Sequence, residues 1–247
     1  MSAQKTSRPA PAIILFGSPG SGKGTQAELL RHYLKVPHIS TGDMLRTHID
    51  AGDDIGELTR GLLKSGKLVS DDLVNHLVEA RIAEPDCDSG IILDGYPRTV
   101  NQAAVLLEMM QRGRFKPAVI HLMVDYEKIV ARLTGRRQCP DCGTLYSVTT
   151  HPPQVTGVCD LDGATLVPRD DDREPVIRER LNQYDMQTRP VLNYFRQARA
   201  PVIEIDGAAA SPQKIMRQIC DSLVSLGLIE ASIVARDSPA SKASSTP

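Results

Sequence analysis

What this chain of 247 residues lacks narrows its possibilities before any motif is considered. No apolar stretch approaches the ~18 residues that span a membrane. The segment behind Met1 carries Lys5, Arg8 and two prolines where an export signal would carry its apolar core. The expectation is a cytoplasmic protein with no membrane partner. A surplus of charge is missing too: 29 Lys and Arg stand against 30 Asp and Glu, a net charge of −1. That balance argues against a nucleic-acid partner held by phosphate neutralisation. An even cysteine set is also absent. Five cysteines do not close a disulfide framework, and without an export signal the thiols are expected to stay reduced.

What is present begins with Ala12-Ile13-Ile14-Leu15-Phe16, a short apolar run followed at once by Gly17-Ser18-Pro19-Gly20-Ser21-Gly22-Lys23-Gly24-Thr25. A buried strand, a glycine-rich turn and then a helix aim backbone N–H groups and a helix N-terminus into one concavity suited to phosphate. Gly20, Ser21, Gly22, Lys23, Gly24 and Thr25 are the candidate cradle, with Lys23 as a mobile cation for the outer phosphates. The pattern departs from the general P-loop at one point. The residue directly after the lysine is Gly24, so the hydroxyl that such loops offer to Mg²⁺ arrives one place late, at Thr25. The loop fixes the ligand class, a nucleoside phosphate, and leaves the reaction open.

Further short apolar runs lie at Ile91 to Leu93, Val119 to Val124 and Val202 to Ile205, with a weaker one at Val36 to Ile39 and helical patterns between them. Strands alternating with helices predict an α/β fold with a P-loop parallel sheet flanked by helices on both faces. Two segments interrupt the alternation and read as inserted subdomains: a helical one at about 40–71 and a Pro-, Gly-, Cys- and Asp-rich one at about 136–173. Residues 12–230 form the expected domain, between a disordered leader (1–11) and a disordered tail (231–247). A helix over Glu174 to Ala198 is expected to break near Pro190, and Ser211-Pro212 to open the last helix. Cys87 and Cys220 lie in or beside apolar segments and read as core thiols.

The segment Ile91-Ile92-Leu93-Asp94-Gly95-Tyr96-Pro97-Arg98-Thr99 ends a buried strand with a carboxylate placed to hold the hydration shell of Mg²⁺. An arginine on a rigid turn follows it, placed to grip a second phosphate. With the P-loop, with Ser40-Thr41-Gly42-Asp43-Met44-Leu45-Arg46, with Gly66-Lys67-Leu68-Val69 and with Gly135-Arg136-Arg137, this segment closely resembles adenylate kinase, in order and spacing from about Ile13 to Leu228. The resemblance implies a transferase moving a phosphoryl group from ATP to AMP, with Mg²⁺, to give two ADP. It implies that Thr41, Arg46, Arg98 and Gln102 bind AMP, with backbone near Lys67, Val69 and Gly95 holding the base. Arg132 and Arg136 would flank ATP, Arg169 and Arg180 would reach the transferring phosphate, and Asp171 and Asp172 would orient those arginines. A monomer is implied as well. One departure is Ser147 after Tyr146, where the family's lid usually has histidine.

The Arg137 to Arg173 insertion contains Cys139-Pro140-Asp141-Cys142 and, after sixteen residues, Cys159-Asp160-Leu161-Asp162. Paired two-residue spacings at that separation match a zinc ribbon with a carboxylate in the fourth place, and some family members hold structural Zn²⁺ through three cysteines and an aspartate. Cys139, Cys142, Cys159 and Asp162 are the expected ligands, with Asp160 and His151 as other fourth ligands and a metal-free lid as the alternative. Two other functions stay open: a kinase using another monophosphate or GTP, and a nucleotide-gated module that turns its ribbon on nucleic acid.

Overall fold

A computed structural model describes residues 9–232 except 113–114, 149–150 and 209. Most of the expected leader and tail therefore lies outside the described residues. In chain order the elements are β1 (Ala10–Phe16), α1 (Lys23–Leu34), β2 (His38–Ser40), α2 (Thr41–Ala51), α3 (Asp54–Ser65), α4 (Asp71–Ile82), β3 (Ile91–Asp94), α5 (Val100–Arg112), β4 (Phe115–Met123), α6 (Tyr126–Thr134), β5 (Arg136–Gln138), β6 (Leu145–Ser147), α7 (Glu174–Gln183), α8 (Arg189–Gln197), β7 (Val202–Asp206) and α9 (Pro212–Ser225).

Five parallel strands form the main sheet in the order β2-β3-β1-β4-β7. β1 lies at the centre, paired with β3 from Ala12↔Ile91 to Leu15↔Asp94 and with β4 from Ala10↔Phe115 to Phe16↔His121. Side chains alternate across the sheet, so one apolar run serves two cores. Ala12, Ile14 and Phe16 pack with Ile91, Leu93 and Val119 under α4, α5 and α8. Ile13 and Leu15 pack with Ile92, Ala118 and Ile120 under α1 and α9. Strands covered on both faces explain why the runs are continuously apolar.

The insertions leave this sheet at its carboxyl end, where ligands gather in such folds. α2 and α3 make the first. The second is built on the antiparallel β5–β6 pair, with isolated bridges Gln138↔Val167 and Val158↔Thr165. Its core is small: Cys139, Tyr146, Cys159 and Leu166. The break expected near Pro190 takes the form of a π-helical turn, Tyr184–Thr188, with Pro190 in the first turn of α8. Proline has no N–H and its ring crowds the carbonyl four residues back, so the chain widens by one residue ahead of it. Ser211 caps α9 through its hydroxyl, as expected. Cys87 and Cys220 are buried, and burial pushes their thiols up to about 11 and about 12.

Among the described residues no helix is long and apolar enough to cross a membrane.

Candidate active site

The P-loop turns at the end of β1, where the chain runs close against β4. A Cβ on Gly17 would lie 2.6 Å from the Leu122 carbonyl oxygen, and φ there is +148°, so only glycine permits the approach. Gly22 opens α1 in the left-handed region with no side chain capping the helix, which leaves the first N–H groups available to an anion. Ser21 Oγ is buried with no hydrogen-bond partner among the described residues. The Lys23 ammonium folds across the loop and donates to the Gly17 and Ser18 carbonyls at 2.8 and 2.9 Å. Burial lowers its pKa to about 8, partly opposed by the Asp94 carboxylate. Arg132, from α6, donates to the Gly207 carbonyl just after β7 at 3.0 Å and to the Ser21 carbonyl of the loop at 3.5 Å. A loop of uncapped N–H groups, a hydroxyl without a partner and a cation folded onto the loop's own carbonyls fits a phosphate chain.

Asp94 ends β3 over the first turn of α1. A Cβ on Gly24 would sit 3.5 Å from Asp94 Oδ2, in ordinary contact, so the carboxylate lies directly beside the residue that replaces the usual hydroxyl. Burial opposes the charge on Asp94, but the His38 imidazole, 3.6 Å away, and the Lys23 ammonium outweigh it and hold the carboxyl below its ordinary range. An ionised carboxylate beside the cradle suits hydrated Mg²⁺.

Five arginines converge beyond the loop. Asp172, with its side chain 2% exposed, accepts Arg136 Nε and Nη2 at 2.6 Å each and Arg180 Nη1 at 3.3 Å. Asp171 takes Arg169 through two bonds at 2.9 and 3.0 Å and pairs with Arg180 at 3.0 Å. The two carboxylates thus pair with three guanidinium groups, those of Arg136, Arg169 and Arg180. Burial lowers the Arg180 pKa to about 10; the Asp171 carboxylate opposes this, and the charges of Arg136 and Arg169 add to it. Arg46 is paired with Asp43. Arg98 donates from Nε to the Gly95 carbonyl at 2.8 Å, and among the described residues no carboxylate lies within ion-pair distance of it. Burial lowers its pKa; the Asp94 carboxylate opposes this, while Arg46 and Arg169 add to it. Lys23 and these five arginines stand against the carboxylates of Asp43, Asp94, Asp171 and Asp172, a surplus of positive charge that a polyanion relieves.

The turn bearing Arg98 is tied down from three sides. Thr41 Oγ1 donates to the Gly95 carbonyl at 2.9 Å, and Thr188 Oγ1, in the π turn, donates to the Arg98 carbonyl at 2.9 Å. Gln102 is buried in the first turn of α5, where Thr99 Oγ1 accepts its N–H at 3.1 Å and its own Oε1 accepts the Arg98 N–H at 2.7 Å. Asp71 at the start of α4 accepts from Thr99 Oγ1 at 2.8 Å, Gln102 Nε2 at 2.8 Å and Asn101 Nδ2 at 3.1 Å. Of the connection between α3 and α4, Val69 is buried in the core and Lys67 is exposed.

In the lid, one ligand atom each from Cys139, Cys142, Cys159 and Asp162 lies within 4.8 Å of every other. Cys142 Sγ and Cys159 Sγ are 3.6 Å apart, close to the ~3.8 Å edge of a tetrahedron with Zn–S bonds of about 2.3 Å. The two knuckles repeat one hydrogen-bond pattern. Cys139 N–H reaches Thr144 O while Gly143 N–H reaches Cys139 O; Cys159 N–H reaches Ala164 O while Gly163 N–H reaches Cys159 O. Asp162 therefore stands where Cys142 stands. Asp160 is turned away, accepting from the Gln154 N–H, and the His151 ring stacks on Tyr146 at 6.1 Å. The stack brings a histidine beside Tyr146 although the next residue is Ser147.

Comparison with known proteins agrees with this geometry. A family model described as Adenylate kinase matches residues 15–200. The chain belongs to the adenylate kinase family. Adenylate kinase of Trichlorobacter lovleyi is 46% identical over 213 residues, covering 86% of this chain and 99% of that protein. Adenylate kinase of Moorella thermoacetica is 45% identical over 205 residues, 83% of this chain and 94% of its own length. That of Thermosipho melanesiensis is 44% identical over 197 residues, 79% and 92%. The chain is an enzyme of reversible phosphoryl transfer from ATP to AMP, giving two ADP, and serves adenine nucleotide homeostasis.

Sequence reasoning passed over three parts of the site. In the sequence Asp71 is only the edge of an insertion, because nothing near it in the chain signals a partner 31 residues on. Thr188 was hidden for the same reason. The orientation of Gln102 did have a local signal, the Thr99-x-x-Gln102 spacing of a capping box.

Proposed function

We propose that phosphoryl transfer takes place between the P-loop and the arginine cluster, with the acceptor on the Arg98 side. The surplus of positive charge between Lys23 and Arg98 carries this reading. On it, Gly20 to Thr25 cradle the ATP phosphates with Lys23 on the outermost, and Arg132 and Arg136 flank the nucleotide. Thr41, Arg46, Arg98 and Gln102 take AMP, with backbone at Lys67, Val69 and Gly95 beside its base.

The phosphate of AMP is already an anionic nucleophile at neutral pH, so no side chain has to remove a proton. The chain's task is to align two polyanions and cover the charge between them. Arg169 and Arg180 supply that cover, held in plane by Asp171 and Asp172. Fixed donors in a water-poor site act without reorganising, and one such donor is typically worth ~10²–10³ in rate. Asp94 would hold Mg²⁺ through its water shell, and the metal would neutralise phosphate charge. Hydrolysis of ATP is the competing reaction, so a lid that closes over the cleft has a chemical purpose.

The lid's four core side chains bury too little to hold it alone, and a structural metal is the usual staple for so small a unit. Cys139, Cys142, Cys159 and Asp162 would hold Zn²⁺ there in a closed site, with no catalytic part. A cytoplasmic monomer without nucleic-acid partners is the simplest form of such an enzyme. The decisive assay offers ATP, Mg²⁺ and each monophosphate in turn. AMP should give ADP far faster than CMP, UMP or GMP, and equal turnover of a pyrimidine nucleotide would refute the acceptor assignment.

A further inference from the structure

A threonine hydroxyl inside a helix ordinarily donates back to the carbonyl four residues earlier. Thr47, Thr59 and Thr134 do so, reaching the carbonyls of Asp43, Ile55 and Val130 at 3.1, 2.8 and 3.0 Å. Thr188 does not. The carbonyl four residues before it, that of Tyr184, accepts the Arg189 N–H five residues on, the bond that makes the turn π-helical. The Thr188 hydroxyl donates instead to the Arg98 carbonyl at 2.9 Å, across 90 residues of chain. Thr188 is 8% exposed, so water is poorly placed to take over that bond.

The turn carrying Arg98 is therefore held from separate parts of the molecule. Thr41 Oγ1, at the start of α2, donates to the Gly95 carbonyl, and Gln102 Oε1, in α5, accepts the Arg98 N–H. The π turn adds a link of its own toward the P-loop. At one end the Tyr184 ring packs against Phe16, the last residue of β1, with 6.0 Å between ring centroids; at the other end Thr188 holds Arg98. The same helical stretch carries Arg180 on α7. A buried carbonyl that loses its donor turns to find another, and the peptide rotation moves the side chain attached to it.

We propose that Thr188 is a positioning residue for the acceptor: its hydroxyl, turned away from its own helix in the π turn, fixes the main chain that carries the Arg98 guanidinium. Thr188 touches no reacting atom and acts through Arg98. This role rests on the reading that places AMP on Arg98.

Steady-state kinetics with ATP, AMP and Mg²⁺, together with melting curves, should compare wild type with Thr188→Val and Thr188→Ser. Valine keeps the branched shape and removes the hydroxyl; serine keeps the hydroxyl and removes the methyl. In Thr188→Val the KM of AMP should rise about tenfold, the worth of one hydrogen bond from a displaced guanidinium to phosphate, with the KM of ATP within about twofold. Thr188→Ser should restore the KM of AMP even though the missing buried methyl lowers Tm. A merely structural role would lower Tm and leave the two KM values moving together. That pattern, or an unchanged KM of AMP in Thr188→Val, overturns the positioning role. Thr188→Ala removes the same hydroxyl and provides the comparison if the valine variant does not fold. Arg98→Ala separates the two readings. If it raises the KM of AMP and Thr188→Val adds nothing further in that background, both stand. If Thr188→Val still adds its full effect there, Thr188 does not act through Arg98. If Arg98→Ala leaves the KM of AMP intact, the assignment of Arg98 to the acceptor is the one that fails, and the positioning role falls with it.

Discussion

Replacing Asp172 by asparagine tests the arginine cluster most directly. The carboxylate is buried, takes two bonds of 2.6 Å from Arg136 and a third of 3.3 Å from Arg180. Asparagine keeps one oxygen but turns an NH₂ group toward a guanidinium that can only donate. Arg180 retains Asp171 at 3.0 Å, whereas Asp172 is the only ion-pair partner of Arg136 among the described residues. Breaking a buried pair costs ~3–5 kcal/mol, and the lower end applies because Arg136 is 18% exposed and reaches water once released. A loss of about 3 kcal/mol in a domain of this size lowers Tm by about 6–12 °C. The freed guanidinium also loses its position over the transferring group, where a displacement of about 1 Å is worth ~10² in rate. Calorimetric melting and a coupled ADP assay read the two effects separately, and the KM of AMP should move little. A melting point within about 2 °C of wild type, together with kcat within about twofold, would show that Asp172 does not position Arg136, since both lie far below the worked losses.

Three further outcomes follow from the same geometry. Arg98→Lys should raise the KM of AMP and barely move that of ATP, because an ammonium cannot make the two parallel bonds of a guanidinium; a loss confined to ATP would assign Arg98 to the other nucleotide. Burial puts Lys23 at about 8 against 10.5 when unfolded, so the folded protein binds fewer protons between those values, and this residue's contribution makes stability rise with pH from about 8 to about 10. ATP phosphates favour the ammonium, so ATP binding near pH 9 should take up protons, seen by calorimetry in buffers of different ionisation enthalpy. Lys23→Met should abolish both the uptake and the transfer, and an uptake that persists in it would refute the assignment. Cys142→Ser should lower zinc content and Tm together while much of the turnover survives at low temperature. Zinc-free wild-type protein, or an unchanged melting curve, would favour a metal-free lid.

The P-loop, the strands and the two insertions could be read from the chain because each is a local pattern. An apolar run of four to seven residues, a turn rich in glycine or a pair of cysteines two residues apart dictates its own backbone and needs no distant partner. The cluster of Cys139, Cys142, Cys159 and Asp162 was legible for the same reason, and the matched hydrogen bonds of the two knuckles add why Asp162 rather than Asp160 or His151 faces the cysteines. Asp171 and Asp172 were expected beside the arginines only through resemblance. The tertiary fold supplied the rest: Asp172 as the joint anchor of Arg136 and Arg180, Ser21 left without a partner, and Asp71 closing on Gln102 across 31 residues. Sequence settles what a short stretch does with its own backbone. Which charged side chain meets which, and which stays unpaired for a ligand, depends on elements brought together only when the sheet and its insertions pack.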